Sequence, residues 1–275
     1  MPQPFQRLLL ATEHTEFDVG AERIAIAIAK QCDLPLGVVR PVVSNPEFEA
    51  LAPAAAAEVA QAAAAAMDAL RAQAHTAGVR IEGRVRSGEE PWREIVEEAR
   101  ARNTDLLITR RRGKSGWLAR LMVGTMVSQV VKHAPCSVLM VPRAASMWRG
   151  GVLAAVDGSA MTERVACTAA AIAAKCGAPL TVISVAFDAS QAARVAAQAA
   201  ITRACDAVKA DAMAMPAGRI EVGGTAHDCI LKAADPEGLI VIGRHGHTAL
   251  AASAFGGVVH KVVGHAAGPV LVVRP

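Results

Sequence analysis

The sequence predicts an α/β fold built twice in tandem, each half a parallel sheet of five strands with helices on both faces. Three observations carry this expectation. Short runs of Leu, Ile and Val alternate with longer Ala-rich stretches whose apolar residues recur at helical spacing. The short runs are mostly apolar throughout, as strands buried on both faces must be. Finally, VVKHAPCSVLMVPR (130–143) returns as VVGHAAGPVLVVRP (262–275), a repeat at half the chain length.

In chain order, Arg7 to Ala11 reads as the first strand, ending at Thr12-Glu13-His14. Val19 to Lys30 has helical spacing, and Pro35 to Val39 is the second strand. An Ala-rich helix spans Pro53 to Ala77 and is closed by Gly78. Val79, Ile81 and Val85 alternate as a third strand, and Pro91 to Arg102 is a helix with proline at its start, where the missing N–H costs nothing. Leu106 to Ile108 is the fourth strand, followed by a loop from Arg110 to Thr125, a short helix carrying Val127, Val130 and Val131, and the strand Ser137 to Val141. The second half repeats the pattern. Val152–Val156, Pro179–Val185, Ile220–Val222, Leu239–Ile242 and Pro269–Val273 are its strands. Glu163–Lys175, Ala189–Met213, His227–Ala234 and a pattern from Val258 to Val263 are its helices. Ala144 to Gly150 links the halves, giving expected domains of 1–146 and 147–275.

Composition narrows the function. A length of 275 residues suits two domains of ordinary size. A net charge of +4 and an aromatic content of 3% leave no long basic block beyond Arg110-Arg111-Arg112 and few rings for base stacking, so nucleic acid is not the expected partner. No uncharged apolar run approaches the roughly 20 residues of a membrane-spanning helix, and the N-terminal stretch does not read as a signal peptide. The expected location is cytoplasmic. The six cysteines are scattered without a Cys-x-x-Cys pair and read as small apolar residues in a reducing compartment.

One stretch carries chemistry. After the strand Leu239 to Ile242 come Gly243 and Gly246, then Gly256-Gly257 directly before a helical pattern. A strand, a Gly-bearing loop and a helix N-terminus suit an anion, because glycine lets backbone amides approach and the first turn of a helix leaves its N–H groups unpaired. If strands one and four of each half are neighbours at a reversal of strand order, the residues ending them face one crevice. Those residues are Asp157 and Gly243 in the second half, and Glu13 and Arg110 in the first.

The spacing Gly-x2-Gly-x9-Gly resembles the nucleotide-loop signature of the universal stress protein family. Val156-Asp157-Gly158-Ser159 and Val262 to Val273 extend the resemblance, which covers nearly the whole chain twice. It implies Rossmann-like domains of the adenine nucleotide-binding type with sheet order 3-2-1-4-5. It also implies pairing of the two fifth strands as an intrachain pseudo-dimer, and a role in stress response. Some family members bind ATP and others bind none. Carried over by residue, Asp157 lies beside the adenosine, followed by Gly158 and Ser159. Gly243, Gly246 and Gly256 surround the phosphates, with Arg244, His245, His247 and Gly257 beside them. The implied ligand is ATP, ADP or AMP in the second half only, with magnesium if ATP is bound.

Departures from the pattern set further expectations. Gly257 stands where the family has Ser or Thr, at a cost of about one neutral hydrogen bond, roughly 0.5–1.5 kcal/mol. In the first half Arg110 replaces the first glycine, Gly113 fits the second, Gly124-Thr125 comes one residue late and Glu13 replaces the aspartate; that half reads as a degenerate scaffold. Gly113-Lys114-Ser115 is no Walker A loop, since the required glycine would fall at Ile108. His245 and His247 lack a third metal ligand nearby in sequence, and Ser159 with His245 lacks a third catalytic group. Binding is therefore expected ahead of catalysis. A slow ATPase or phosphotransferase, and a nucleotide-free module that binds a protein partner or a second copy, are the alternatives.

Overall fold

The computed structural model describes residues 3–111, 125–211, 213–244 and 256–275. Residues 5–111 and 125–146 belong to one compact unit, and those from 147 onward to another.

In the first unit the elements are β1 (Leu8–Ala11), α1 (Val19–Cys32), β2 (Leu36–Val43), α2 (Pro46–Leu51), α3 (Pro53–Thr76), β3 (Ile81–Gly88), α4 (Pro91–Ala101), β4 (Leu106–Arg110), α5 (Thr125–His133) and β5 (Ser137–Val141). The strands lie in the order β3-β2-β1-β4-β5, every neighbouring pair parallel. The second unit has β6 (Val152–Ala155), α6 (Thr162–Cys176), β7 (Leu180–Ala186), α7 (Gln191–Ala210), β8 (Ala217–Val222), α8 (Ala226–Ala233), β9 (Leu239–Gly243), α9 (Gly257–His265) and β10 (Val270–Val273). Its order is β8-β7-β6-β9-β10, again all parallel. The expected order 3-2-1-4-5 is thus present in each unit.

Burial explains why the pattern reads so clearly. β1, β4, β6 and β10 are buried along their whole length, and β9 up to its last residue, as strands covered on both faces are. The two units match residue for residue from β1 through β2 and from β6 through β7: the same separation divides Leu8 from Val152, Asp33 from Gly177 and Leu36 from Leu180. Even the left-handed helix stop recurs, on Gly177 (φ 63°) after α6 and on Asp33 (φ 54°) after α1, aspartate being among the few side chains that tolerate it. Gly20 in α1 has no room for a side chain, since a Cβ there would collide with the Pro142 carbonyl oxygen.

Two boundaries differ from expectation. A short helix, α2, precedes the Ala-rich one, and Pro53 separates them because the residue before proline is barred from the helical region. The third strands run longer than their apolar content suggests. β3 continues to Gly88 because it pairs with β2 along its full length, through residues that alternate between half-buried and exposed. Among the described residues no helix is long and apolar enough to cross a membrane.

The outer strand β3 is pinned to α4 by ion pairs. Glu98, 1% exposed, accepts hydrogen bonds from Arg102 Nε (2.6 Å) and Arg86 Nη1 (3.1 Å), with Arg84 Nη1 at 3.5 Å. Arg86 Nε also donates to Glu94 Oε2 at 2.8 Å. Burial by itself pushes the Glu98 carboxyl up, but the hydrogen bonds from Arg102 and Arg86 and the nearby positive charge outweigh it, and hold the carboxyl below its usual value of 4.5. A carboxylate with a lowered folded pKa adds stability that is fully present above its unfolded value and is lost as the pH falls through the folded one. Glu98→Gln should cost on the order of 2 kcal/mol at pH 7. The difference from the parent should shrink below about pH 4.5 in urea titrations across the acid range; a difference constant with pH would contradict the ion-pair assignment.

Candidate functional site

The switch in strand order falls between β6 and β9, which pair with Ala155 opposite Ile242. From here the chain leaves β6 for β7 on one side and β9 for β10 on the other, so the carboxyl ends open a crevice.

On the β6 side, Asp157, Gly158 and Ser159 form a tight turn. Asp157 Oδ1 accepts from the Ser159 amide at 3.0 Å, Gly158 adopts φ 78°, and Ser159 Oγ accepts from the Met161 amide at 3.4 Å before α6 begins. Gly158 is needed for its left-handed backbone. A brace comes from α7: Arg203 donates from Nη1 to the Gly158 carbonyl (3.3 Å) and from Nε to Glu163 Oε1 (2.8 Å). The same arginine lines a groove of about 620 Å³ between α6 and α7, with Val195, Ala199 and Thr202.

On the β9 side, Gly243 is needed for packing. A Cβ there would lie 3.0 Å from Met161 Cβ and 3.4 Å from Val165 Cγ2, so a side chain would require Met161 to shift by a few tenths of an ångström. Gly256 caps α9 with φ −59° and ψ 147°, its amide 3.5 Å from the Arg244 carbonyl. Among the described residues, nothing lies within 4 Å of a Cβ built on Gly256 or Gly257. The first-turn amides of α9 have no acceptor within the helix. Gly256 carries no backbone strain, so the φ penalty that a side chain at a turn glycine can incur is absent here. Arg244 adds positive charge. Burial first, and the charge of Arg274 second, hold its guanidinium below the usual range, a sign of two cations close together. Gly246, His245 and His247 lie outside the described residues.

The first unit holds the corresponding positions differently. Arg110, which ends β4 as Gly243 ends β9, is 8% exposed and turned inward. Its Nη2 donates to Glu13 Oε1 at 2.9 Å, and its Nη1 to Asp18 Oδ2 at 3.1 Å and Thr15 Oγ1 at 3.3 Å. Asp18, 1% exposed, also accepts from the Thr15 amide and hydroxyl. Arg40 Nη1 donates to the Glu13 carbonyl. Below this lies a second polar knot: buried Glu22 accepts from Thr12 Oγ1 (2.6 Å) and from His14 Nδ1 (3.0 Å), which must carry its proton there because a carboxylate only accepts. Glu13 and Arg110 were legible as crevice residues; Asp18, Thr15, Arg40 and Glu22 were not. The one available signal was a run of acidic residues and threonines after the first strand, facing an unexpected arginine after the fourth. Gly113, Lys114, Ser115 and Gly124 lie outside the described residues.

Other reactive groups are muted. None of the six cysteines is in a disulfide, and burial, helped by Asp211 and Glu163, pushes the Cys167 thiol up to about 11. Among the described residues no three His, Cys, Asp or Glu side chains are grouped to hold a metal ion.

Arg110 is the only cation that reaches both Glu13 and Asp18 among the hydrogen bonds described here. Arg110→Ala would leave the buried Asp18 carboxylate without its counter-charge and should cost about 3–5 kcal/mol in urea unfolding. Arg110→Lys should recover only part of the loss, because one ammonium cannot reproduce the fork to two carboxylates.

Comparison with known proteins bears on both units. A family model described as the universal stress protein family matches residues 4–142 and again 150–274. Universal stress protein MJ0531 of Methanocaldococcus jannaschii is 28% identical over 144 residues, covering 50% of this chain and 83% of that protein. A universal stress protein from Archaeoglobus fulgidus superposes with a TM-score of 0.75 at 18% identity, covering 97% of each chain. The functionally unknown protein PA1789 from Pseudomonas aeruginosa superposes with a TM-score of 0.72 at 22% identity, over 99% of this chain and 94% of its own.

Proposed function

The chain belongs to the universal stress protein family, and from that premise we propose that it is a cytoplasmic stress-response protein that binds one adenine nucleotide, in its second unit. The observation that carries this reading is the contrast at one strand end. Arg110 closes the first crevice with its own guanidinium, whereas Gly243 puts no side chain into the second. In this reading the N-terminus of α9, which Gly256 begins, supplies first-turn amides and the positive end of a helix dipole. The paired charges of Arg244 and Arg274 favour an anion at the same place. In this reading Asp157, exposed just after β6, lies beside the adenosine. His245, Gly246 and His247 complete the loop in this reading. Magnesium would accompany a triphosphate and be held mainly by phosphate oxygens and water. Binding, with no catalytic step, is the proposed activity.

Calorimetric titration with ATP should give one site per chain. Gly256→Val should abolish or strongly weaken binding while costing the fold no more than about 1 kcal/mol for a poorer helix cap, since its backbone angles suit any residue and its Cβ meets nothing. Gly257→Ser should tighten binding by up to about tenfold through one hydrogen bond to a charged oxygen. Two equivalent sites would show that Arg110 is no barrier. No binding by the parent or by Gly257→Ser would favour the nucleotide-free interaction module, and phosphate release with magnesium would favour the ATPase.

A further inference from the structure

The turn after the first strand is built to one plan in both units. The Thr12 amide donates to the Val39 carbonyl at 3.1 Å, and the Val156 amide to the Ile183 carbonyl at 2.9 Å. The Phe17 and Met161 amides donate to Thr15 Oγ1 and Ser159 Oγ, each at 3.4 Å. The Asp18 and Thr162 amides bond the carbonyls of Thr15 and Ser159 at 2.9 and 3.1 Å. In the middle both turns are left-handed, on His14 at φ 56° and on Gly158 at φ 78°. Glycine takes that conformation freely, whereas a histidine is strained in it. Strain held at one position, where the matching position has the unstrained residue, points to a use for the side chain.

That side chain forms a dyad with a buried carboxylate. His14 Nδ1 lies 3.0 Å from Glu22 Oε1, and Thr12 Oγ1 donates to the same oxygen at 2.6 Å. Glu22 is buried, while the His14 side chain keeps 28% of its surface in water. With Nδ1 donating, the neutral ring carries its lone pair on Nε2, which makes no hydrogen bond among the described residues. A carboxylate that fixes the tautomer in this way is how a reactive imidazole is oriented. The second unit has none of these groups: Val156, Gly158 and Ala166 hold the places of Thr12, His14 and Glu22.

A cation without a counter-charge stands beside the dyad. Arg40, one residue past the Val39 that pairs with Ala11, is half-buried. Its Nη1 donates to the carbonyl of Glu13, the residue before His14, and its Nε is buried without a partner. No carboxylate among the described residues pairs with it. A guanidinium held only by a backbone carbonyl is suited to an anion with several acceptor oxygens. In the second unit the uncharged Ser184 takes its place.

We propose that His14 is a covalent modification site of the first unit, a nucleophile whose Nε2 accepts a phosphoryl group that then pairs with Arg40. The donor is an acyl phosphate or a phosphoramidate. The Nε2 lone pair forms the N–P bond, the bond from phosphorus to the leaving group breaks, and that group departs with its electron pair. The imidazole keeps its Nδ1 proton, and the positive charge it gains faces the Glu22 carboxylate. Water cleaves the N–P bond to inorganic phosphate and restores the ring. The site is independent of nucleotide binding in the second unit.

The test treats the full chain with phosphoramidate and locates the acid-labile label by mass spectrometry. In the parent, His14 should be labelled at least about tenfold faster than His75, an exposed histidine on α3. Glu22→Gln, checked for folding by its melt, should bring the His14 rate down to that of His75. Arg40→Ala should reduce phosphorylation of His14 but leave its reaction with diethyl pyrocarbonate, a neutral electrophile, at the parent rate. Equal labelling of His14 and His75 in the parent would overturn the site, whatever the variants do. An unchanged rate in folded Glu22→Gln would overturn the dyad as its cause. In Arg40→Ala, loss of both reactions together or of neither would overturn the pairing with the phosphoryl group.

Discussion

All the strands of each unit run parallel to their neighbours, and that constraint governs where chemistry can occur. Parallel pairing forces each connection to cross over through a helix, so every carboxyl end emerges on one edge of the sheet and every helix begins there. Turns, helix N-termini and strand ends are thereby concentrated in one place. Asp157, Gly243 and Gly256 are far apart in sequence and share that edge because of the topology. Glu13, Thr15, Asp18 and Arg110 share the corresponding edge in the first unit.

Given that shared scaffold, the two units differ through one question of charge. A guanidinium cannot be buried without compensation. Arg110 is compensated by two carboxylates and a hydroxyl, and these side chains fill the crevice. Gly243 brings no charge and needs no partners, and its cost is steric: it lets α6 close against β9, with Met161 and Val165 in the space. The first arrangement is complete within the chain. The second has no such ion-pair cluster at the end of β9 among the described residues.

Much of this was legible in the sequence because the signals were local. Strands apolar on both faces, Ala-rich helices and a repeated tail fixed the fold and its duplication, and Gly243, Gly256 and Asp157 stood out by their spacing. What could not be read depended on distance in three dimensions. Asp18 carried no reading, and only the fold brings it to Arg110. Gly243 was read as a glycine of an anion loop, and its packing against Met161 and Val165, before and within α6, could not be seen. The split between α2 and α3 was written in Pro53, but the Ala run on its far side hid it.

Completeness within the chain has a consequence for heat and for time. The Arg110 cluster holds its half of the molecule together at a strength set by the sequence, whatever the cell contains. A half that takes a ligand from solution gains stability by mass action, about 2.7 kcal/mol when the ligand stands at a hundred times its dissociation constant, and none when the supply is exhausted. One polypeptide would then carry a steady half and a half whose melting point follows the concentration of a metabolite. On the proposed reading, the melting point of the second would fall toward its unliganded value as nucleotide is exhausted, while that of the first would stay where it is.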